Sequence, residues 1–126
     1  MGMFVISKRY NEEYKFVFTS RKGKTIFTSI SCKDKTGCYE LIAAMRDSIT
    51  LFTFTKNSTP AGKHFFRISK DGLVLATSRK YATPLSLQKG IDEVIKYLPP
   101  AETLDFSEND FVFPDAEEVF GAAGDV

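Results

Sequence analysis

A five-residue pattern near the start of the chain, Phe4-Val5-Ile6-Ser7-Lys8, returns as Phe52-Thr53-Phe54-Thr55-Lys56 at an offset of 48 residues. Tyr14-Lys15-Phe16-Val17-Phe18 returns as His64-Phe65-Phe66-Arg67-Ile68 at an offset of 50. From Gly23 onward the offset is 49: Gly23 with Gly72, Thr28-Ser29 with Thr77-Ser78, Ile42 with Ile91, and Met45 with Val94. Self-similarity of this period means that one structural unit has been written twice, and it constrains the fold before any single element is assigned. The offset changes between elements and not within them. A one-residue slip inside a strand would turn its core side chains to solvent, whereas a slip in a turn costs little.

Each copy reads as three strands and a helix. Tyr14, Phe16 and Phe18 alternate with Lys15, Val17 and Thr19, the period of a half-buried strand. Asp71-Gly72, between Ile68 and Val74, is a hairpin signal because glycine tolerates positive φ, and this hairpin is one residue tighter than the one around Arg21-Lys22-Gly23. The second helix is the clearest element. Thr83 caps it, Pro84 sits where a missing N–H does no harm, Leu87, Ile91, Val94, Ile95 and Leu98 form its stripe, and Pro99-Pro100 ends it. In the first helix, Asp34 or Thr36 is the cap, and Cys38, Ile42, Met45 and Ile49 form the stripe, which places Cys38 in the core.

A chain of 126 residues with 43% apolar side chains is the size of one domain. Neither copy is large enough to be stable alone, so residues 1–126 are expected to form one unit: repeat 1 over about 3–50, repeat 2 over about 51–98, and a segment 99–126. Two strand-rich halves with one amphipathic helix each predict an α+β fold: two tandem β-β-β-α(-β) repeats sharing one antiparallel sheet, both helices on one face. No apolar run approaches the roughly 20 residues of a membrane span. The N-terminus lacks the basic-then-apolar order of a signal peptide, so a cytoplasmic location and no membrane partner are expected.

The residues offer little for catalysis. The lone histidine, His64, falls on a strand at the position of Tyr14 and reads as a sheet-edge packing residue with an apolar body and a polar tip. Gly23-Lys24-Thr25 has the end of a phosphate loop but lacks the upstream glycine, where Phe18 stands, and lies in a hairpin. Cys32 and Cys38 have neither the spacing of a redox pair nor enough companions for a metal, and read as structural thiols. The expectation is therefore no catalytic residues, no metal and no cofactor. Gly90 inside the second helix costs about 1 kcal/mol against alanine, so something must approach closely there, and packing of helix on sheet is the preferred reason.

The net charge of +1 conceals a division. Residues 1–98 hold all 17 basic side chains and 8 of the 16 acidic ones, while residues 99–126 hold 8 acidic side chains and no basic one. Lys22, Lys24, Arg67, Arg79, Lys80 and Tyr81 put cations beside an aromatic ring, a pattern able to bind a nucleic-acid backbone or other polyanion; ordinary solvation of the outer sheet face is the competing reading. Phe106, Phe111, Val112, Phe113 and Phe120 make the acidic segment too apolar for a disordered tail and predict that part of it docks as an added strand.

A hairpin glycine followed by an aliphatic pair and Thr-Ser (Gly23 to Thr28-Ser29, Gly72 to Thr77-Ser78), a tyrosine shortly after (Tyr81) and Gly90-Ile91 in the helix resemble the YegP-like proteins, a bacterial family of unknown function. The resemblance spans roughly residues 3–98. The first copy departs from it with Cys32 for the tyrosine and Leu41 for the glycine, and Lys22 and Asp71 replace the usual asparagine before each hairpin glycine. The resemblance implies a further strand after each helix, exchanged between units: Leu51 to Lys56 for the first, and Thr103 to Ser107 or Asp110 to Phe113 for the second. It implies no activity. The leading functional expectation is a non-enzymatic interaction or structural module; the rival is polyanion binding by the basic body, modulated by the acidic segment. Partners on these readings are a protein or a nucleic acid. The doubled sheet makes a monomer plausible, and a homodimer through an open edge is the other possibility.

Overall fold

The computed structural model describes residues 2–9 and 11–107. Its strands are β1 (Met3–Lys8), β2 (Tyr14–Thr19), β3 (Thr25–Ser29), β4 (Thr53–Ser58), β5 (His64–Lys70), β6 (Leu73–Ser78) and β7 (Glu102–Asp105); its helices are α1 (Lys35–Ser48) and α2 (Pro84–Tyr97). The seven strands form one sheet in the order β4-β5-β6-β3-β2-β1-β7. The fold is α+β.

The sheet is mixed, which corrects the expected antiparallel one. β7 runs parallel to β1, with Met3 opposite Glu102 and Ile6 opposite Asp105, while the other pairings are antiparallel. A parallel neighbour needs a crossover in place of a hairpin, and α2 supplies it by carrying the chain from β6 back to the open edge of β1. The hairpin signals in the sequence report neighbours in the chain and are silent about such a return. The other candidate strand, 110–113, lies outside the described residues.

Register also corrects the first offset. Phe4 opposes Phe18 as Phe54, not Phe52, opposes Ile68, so an offset of 50 runs through both leading strands. A shift of two leaves every side chain on its face, which is why the alternation alone could not choose between Phe52 and Phe54. Phe52 instead follows a short 3-10 turn, Ile49–Leu51, and its side chain is buried. In the tighter hairpin, Asp71 (φ 54°) and Gly72 (φ 81°) both take left-handed backbone, as a two-residue turn matching strand twist requires.

One core holds the elements together. Phe4, Ile6, Phe16, Phe18, Phe27, Phe66 and Ile68 from the sheet meet Cys38, Ile42 and Met45 of α1 and Leu87, Ile91 and Val94 of α2 in a single cluster. Ile95, counted in the sequence stripe, is 38% exposed, because it lies at the shoulder of the helix face that Ile91, Val94 and Leu98 bury. The side chain of Asp34 caps α1, accepting from the Gly37 N–H at 2.8 Å, and Thr83 caps α2, accepting from the Ser86 N–H at 3.1 Å. Lys35 and Asp105, 3.3 Å apart, tie the start of α1 to the end of β7.

Where β3 and β6 diverge from their hairpin partners, a serine hydroxyl stands in for the missing carbonyl. The Phe16 N–H donates to Ser29 Oγ at 2.9 Å, and that hydroxyl donates to the Ile30 carbonyl at 2.8 Å. The Phe66 N–H donates to Ser78 Oγ at 2.9 Å, and that hydroxyl donates to the Arg79 carbonyl at 2.7 Å. Just beyond, Tyr14 bridges to Cys32 and His64 bridges to Tyr81 by paired backbone bonds.

Candidate functional site

The β2–β3 turn bends sharply at Gly23 (φ 82°): its N–H donates to the Ser20 carbonyl at 2.9 Å, and the Ser20 N–H donates to the Lys24 carbonyl at 2.8 Å. The tight loop brings Arg21, Lys22 and Lys24 to the rim of a cavity of about 500 Å³ that also has Arg79 from the segment after β6 and Lys89 from α2 in its wall. Among the described residues, five cations from three separate parts of the chain therefore line this cavity with a single carboxylate, Glu93. A concave site with low-dielectric walls concentrates the field of such a set, so the cavity is electropositive.

Tyr81 forms the back of the cleft. Its backbone is fixed by two bonds to His64, 2.8 and 2.6 Å long, and its ring stacks on Phe66 with centroids 6.4 Å apart. The Arg79 guanidinium lies 5.1 Å from the Tyr81 ring centroid, a cation–π contact that orients the arginine along the cavity wall. Burial pushes the Tyr81 phenol up to about 12, Arg79 opposing and Glu93 adding to the rise. The phenol thus stays protonated at neutral pH and is available as a hydrogen-bond donor. Gly90 makes room for it: a Cβ there would stand 2.6 Å from the ring carbon Cζ. The close approach expected at Gly90 is the tyrosine.

Of the six residues singled out from the sequence, Lys22, Lys24, Arg79 and Tyr81 line this cavity. Arg67 does not: it is paired with Thr55 and Thr77 in mid-sheet, next to core-facing Phe66, and its guanidinium lies 5.2 Å from the Phe65 ring centroid. Lys80 is likewise outside the lining. Arg21 and Lys89 are the contributors that sequence reasoning missed. At the offset of 49, Lys89 stands where the first half has Glu40, and that charge reversal is the signal that marks it.

No protein-family model matches the chain. The chain is 30% identical over 95 residues to the UPF0339 protein YegP of Escherichia coli K12, the match covering 74% of this chain and 86% of that protein. The chain belongs to the UPF0339, or YegP-like, family. A further UPF0339 relative, from the ptx operon 5' region of Stutzerimonas stutzeri, is 26% identical over 106 residues, covering 82% of this chain and 96% of that one. The solution NMR structure of E. coli YegP, a protein of unknown function, superposes with a TM-score of 0.76 at 26% identity, covering 86% of this chain and 96% of that one. The UPF0339 protein of Shewanella oneidensis shares the fold, with a TM-score of 0.76 at 21% identity, over 86% of this chain and 94% of that one. The YegP-like relatives are thus of unknown function, and the family brings a fold without an activity.

His64 Nδ1 is 3.3 Å from Ser58 Oγ across the β4–β5 pair, and among the described residues no carboxylate is bonded to the imidazole to complete a nucleophile–base–acid set. Cys32 and Cys38, remote in spacing from a redox motif, have their thiols in hydrogen-bond contact, and burial raises the pKa of both. Among the described residues, no group of three or more metal-ligating side chains occurs, and no helix is long and apolar enough to cross a membrane.

Proposed function

We propose that this protein is a non-enzymatic interaction module that captures a compact anionic group in the cleft between the β2–β3 turn and α2. The observation that carries this reading is the convergence of Arg21, Lys22, Lys24, Arg79 and Lys89 on one cavity of about 500 Å³. Positive side chains scattered for solubility have no reason to converge from three chain segments on one concavity. A concave site suits a phosphate-sized group better than a long duplex, since Arg67 and Lys80 do not extend the cation row.

On this reading the two halves are tandem copies of one β-β-β-α unit that have diverged in function. The matched serine bridges, the matched backbone bridges and the strand order β4-β5-β6 followed by β3-β2-β1 support it. The second turn carries Asp71 and Leu73 where the first has Lys22 and Lys24, and α1 carries Glu40 where α2 has Lys89, so one cleft is kept and the other given up. Residues 108–126, with six acidic side chains and no basic one, are the intramolecular competitor for the cleft. The protein works in the cytoplasm, where its two free thiols stay reduced.

The test is binding of inorganic tripolyphosphate and of a single-stranded oligonucleotide by the full chain across a salt series, repeated with the Lys24→Glu/Lys89→Glu variant. Salt-dependent binding lost in the variant is expected; absence of binding at low salt, or binding indifferent to the two reversals, rejects the reading. A chain ending at Ser107 is expected to bind more tightly than the full chain. The cut belongs after Ser107 and not at the double proline, because β7 completes the sheet beside β1.

A further inference from the structure

A second cavity, of about 380 Å³, adjoins the basic one and shares Ser20, Arg21 and Tyr97 with it. Its character is different. Met3, Pro100 and Ala101 give it apolar walls, Thr19 and Glu102 give it polar groups, and Arg21 at the junction is the only cationic side chain among the described residues that line it. The two together make one groove, electropositive at one end and apolar with a carboxylate at the other, with the Tyr97 ring at the boundary.

That polarity fixes how a ligand lies. A phosphate chain is drawn to the end holding Lys22, Lys24, Arg79 and Lys89 and is repelled from Glu102. The set of five cations and one carboxylate in the basic cavity carries a charge of +4, suited to a polyphosphate and in excess of what a single carboxylate ligand needs. At the other end, an acyl chain would set hydrocarbon against the Glu102 carboxylate. A planar heteroaromatic ring with N–H donors, attached to a sugar, fits apolar walls with an acceptor at the rim and stacks on an aromatic side chain. We infer that the ligand is a nucleoside polyphosphate, its phosphates in the basic cavity and its nucleoside beside Tyr97 between Met3 and Pro100. This rests on the anion-binding reading above and adds the identity of the uncharged part.

The full chain, isotopically labelled, is titrated with ATP, GTP, inorganic tripolyphosphate and adenosine under one salt condition, with amide shifts followed by NMR. The nucleoside triphosphates are expected to bind about tenfold or more tightly than tripolyphosphate and to shift Met3, Thr19 and Ala101 as well as Lys22, Lys24 and Lys89. Tyr97→Ala is expected to bring nucleoside triphosphate affinity down to that of tripolyphosphate, and Tyr97→Phe, which keeps the ring, to retain the preference. Equal affinity for tripolyphosphate, with shifts confined to the basic cavity, overturns the nucleoside assignment and leaves the anion cleft standing. Binding by none of the phosphates overturns both. A single-stranded oligonucleotide that outcompetes the free nucleotides overturns the assignment in favour of a nucleic-acid site.

Discussion

The Tyr81 ring occupies the volume that a side chain at position 90 would need, and position 90 is glycine. At the offset of 49 the first half has Cys32 and Leu41 in the corresponding places, small for large and large for small. Gly90→Ala therefore sets two effects against each other. Alanine favours the helix by about 1 kcal/mol, whereas forcing a methyl into the ring costs about 1–3 kcal/mol by overpacking. Net destabilisation is expected in urea unfolding, turning to stabilisation by Gly90→Ala when Tyr81→Cys is already present. A double-mutant cycle without measurable coupling would show that the ring and the helix do not meet as described.

The same phenol contributes to a loss of stability at alkaline pH. Its folded pKa, about 12, lies above its unfolded value of about 10, so the folded state holds the proton longer. The stabilisation is full below pH 10 and is lost as pH rises through 12, about 3 kcal/mol in all. Tyr81→Phe is expected to flatten the decline in denaturant midpoint between pH 10 and 12, and an ultraviolet titration of the folded protein should show a phenol ionising later than an unburied one.

Ser29 and Ser78 each hold a buried strand N–H that no carbonyl reaches. Ser29→Ala and Ser78→Ala are each expected to cost about 1–3 kcal/mol, since both leave a buried donor unpaired. Hydrogen exchange should report the loss locally, at the Phe16 amide in one variant and the Phe66 amide in the other. A variant with unchanged stability and unchanged exchange would remove the hydroxyl from the account of the sheet.

The two thiols differ in access although they touch. Cys38 is fully buried and Cys32 only partly, and burial raises the pKa of both. Alkylation at pH 8, followed by mass spectrometry, is expected to modify Cys32 slowly and Cys38 only at the rate of unfolding. Prompt labelling of Cys38 would place it outside the core.

The spacing of apolar, turn and cap residues carried most of the fold to the surface of the sequence. It announced the strands, both helices, the hairpin around Gly72, and the close approach at Gly90 in a place where glycine is otherwise costly. It could not fix the register of the leading strand, because Phe52 and Phe54 lie on the same face of an alternating pattern, and only the pairing of Phe54 with Ile68 decides. The parallel strand was hidden because Thr103 and Leu104 report no partner; α2 decides where they land. At the site, Lys22, Lys24, Arg79 and Tyr81 were legible as a basic cluster with an aromatic. Arg67, grouped with them by its charge, lies outside the cavity lining with its guanidinium over the Phe65 ring, and the approach of Lys89 to the turn is purely tertiary, carried in sequence only by its charge reversal against Glu40.

The pairing of β7 with β1 has a consequence in time. During synthesis β1 is made before its neighbour β7 by nearly the whole described chain, since Glu102–Asp105 follow only after α2, and the β3–β6 seam likewise joins segments far apart in sequence. Contacts this distant along the chain slow folding and leave strand edges open meanwhile. A nascent chain halted after the first half would carry a three-stranded meander with both outer edges unsatisfied, a species for chaperones to shield, and the last four-residue strand acts as the latch that ends that exposure.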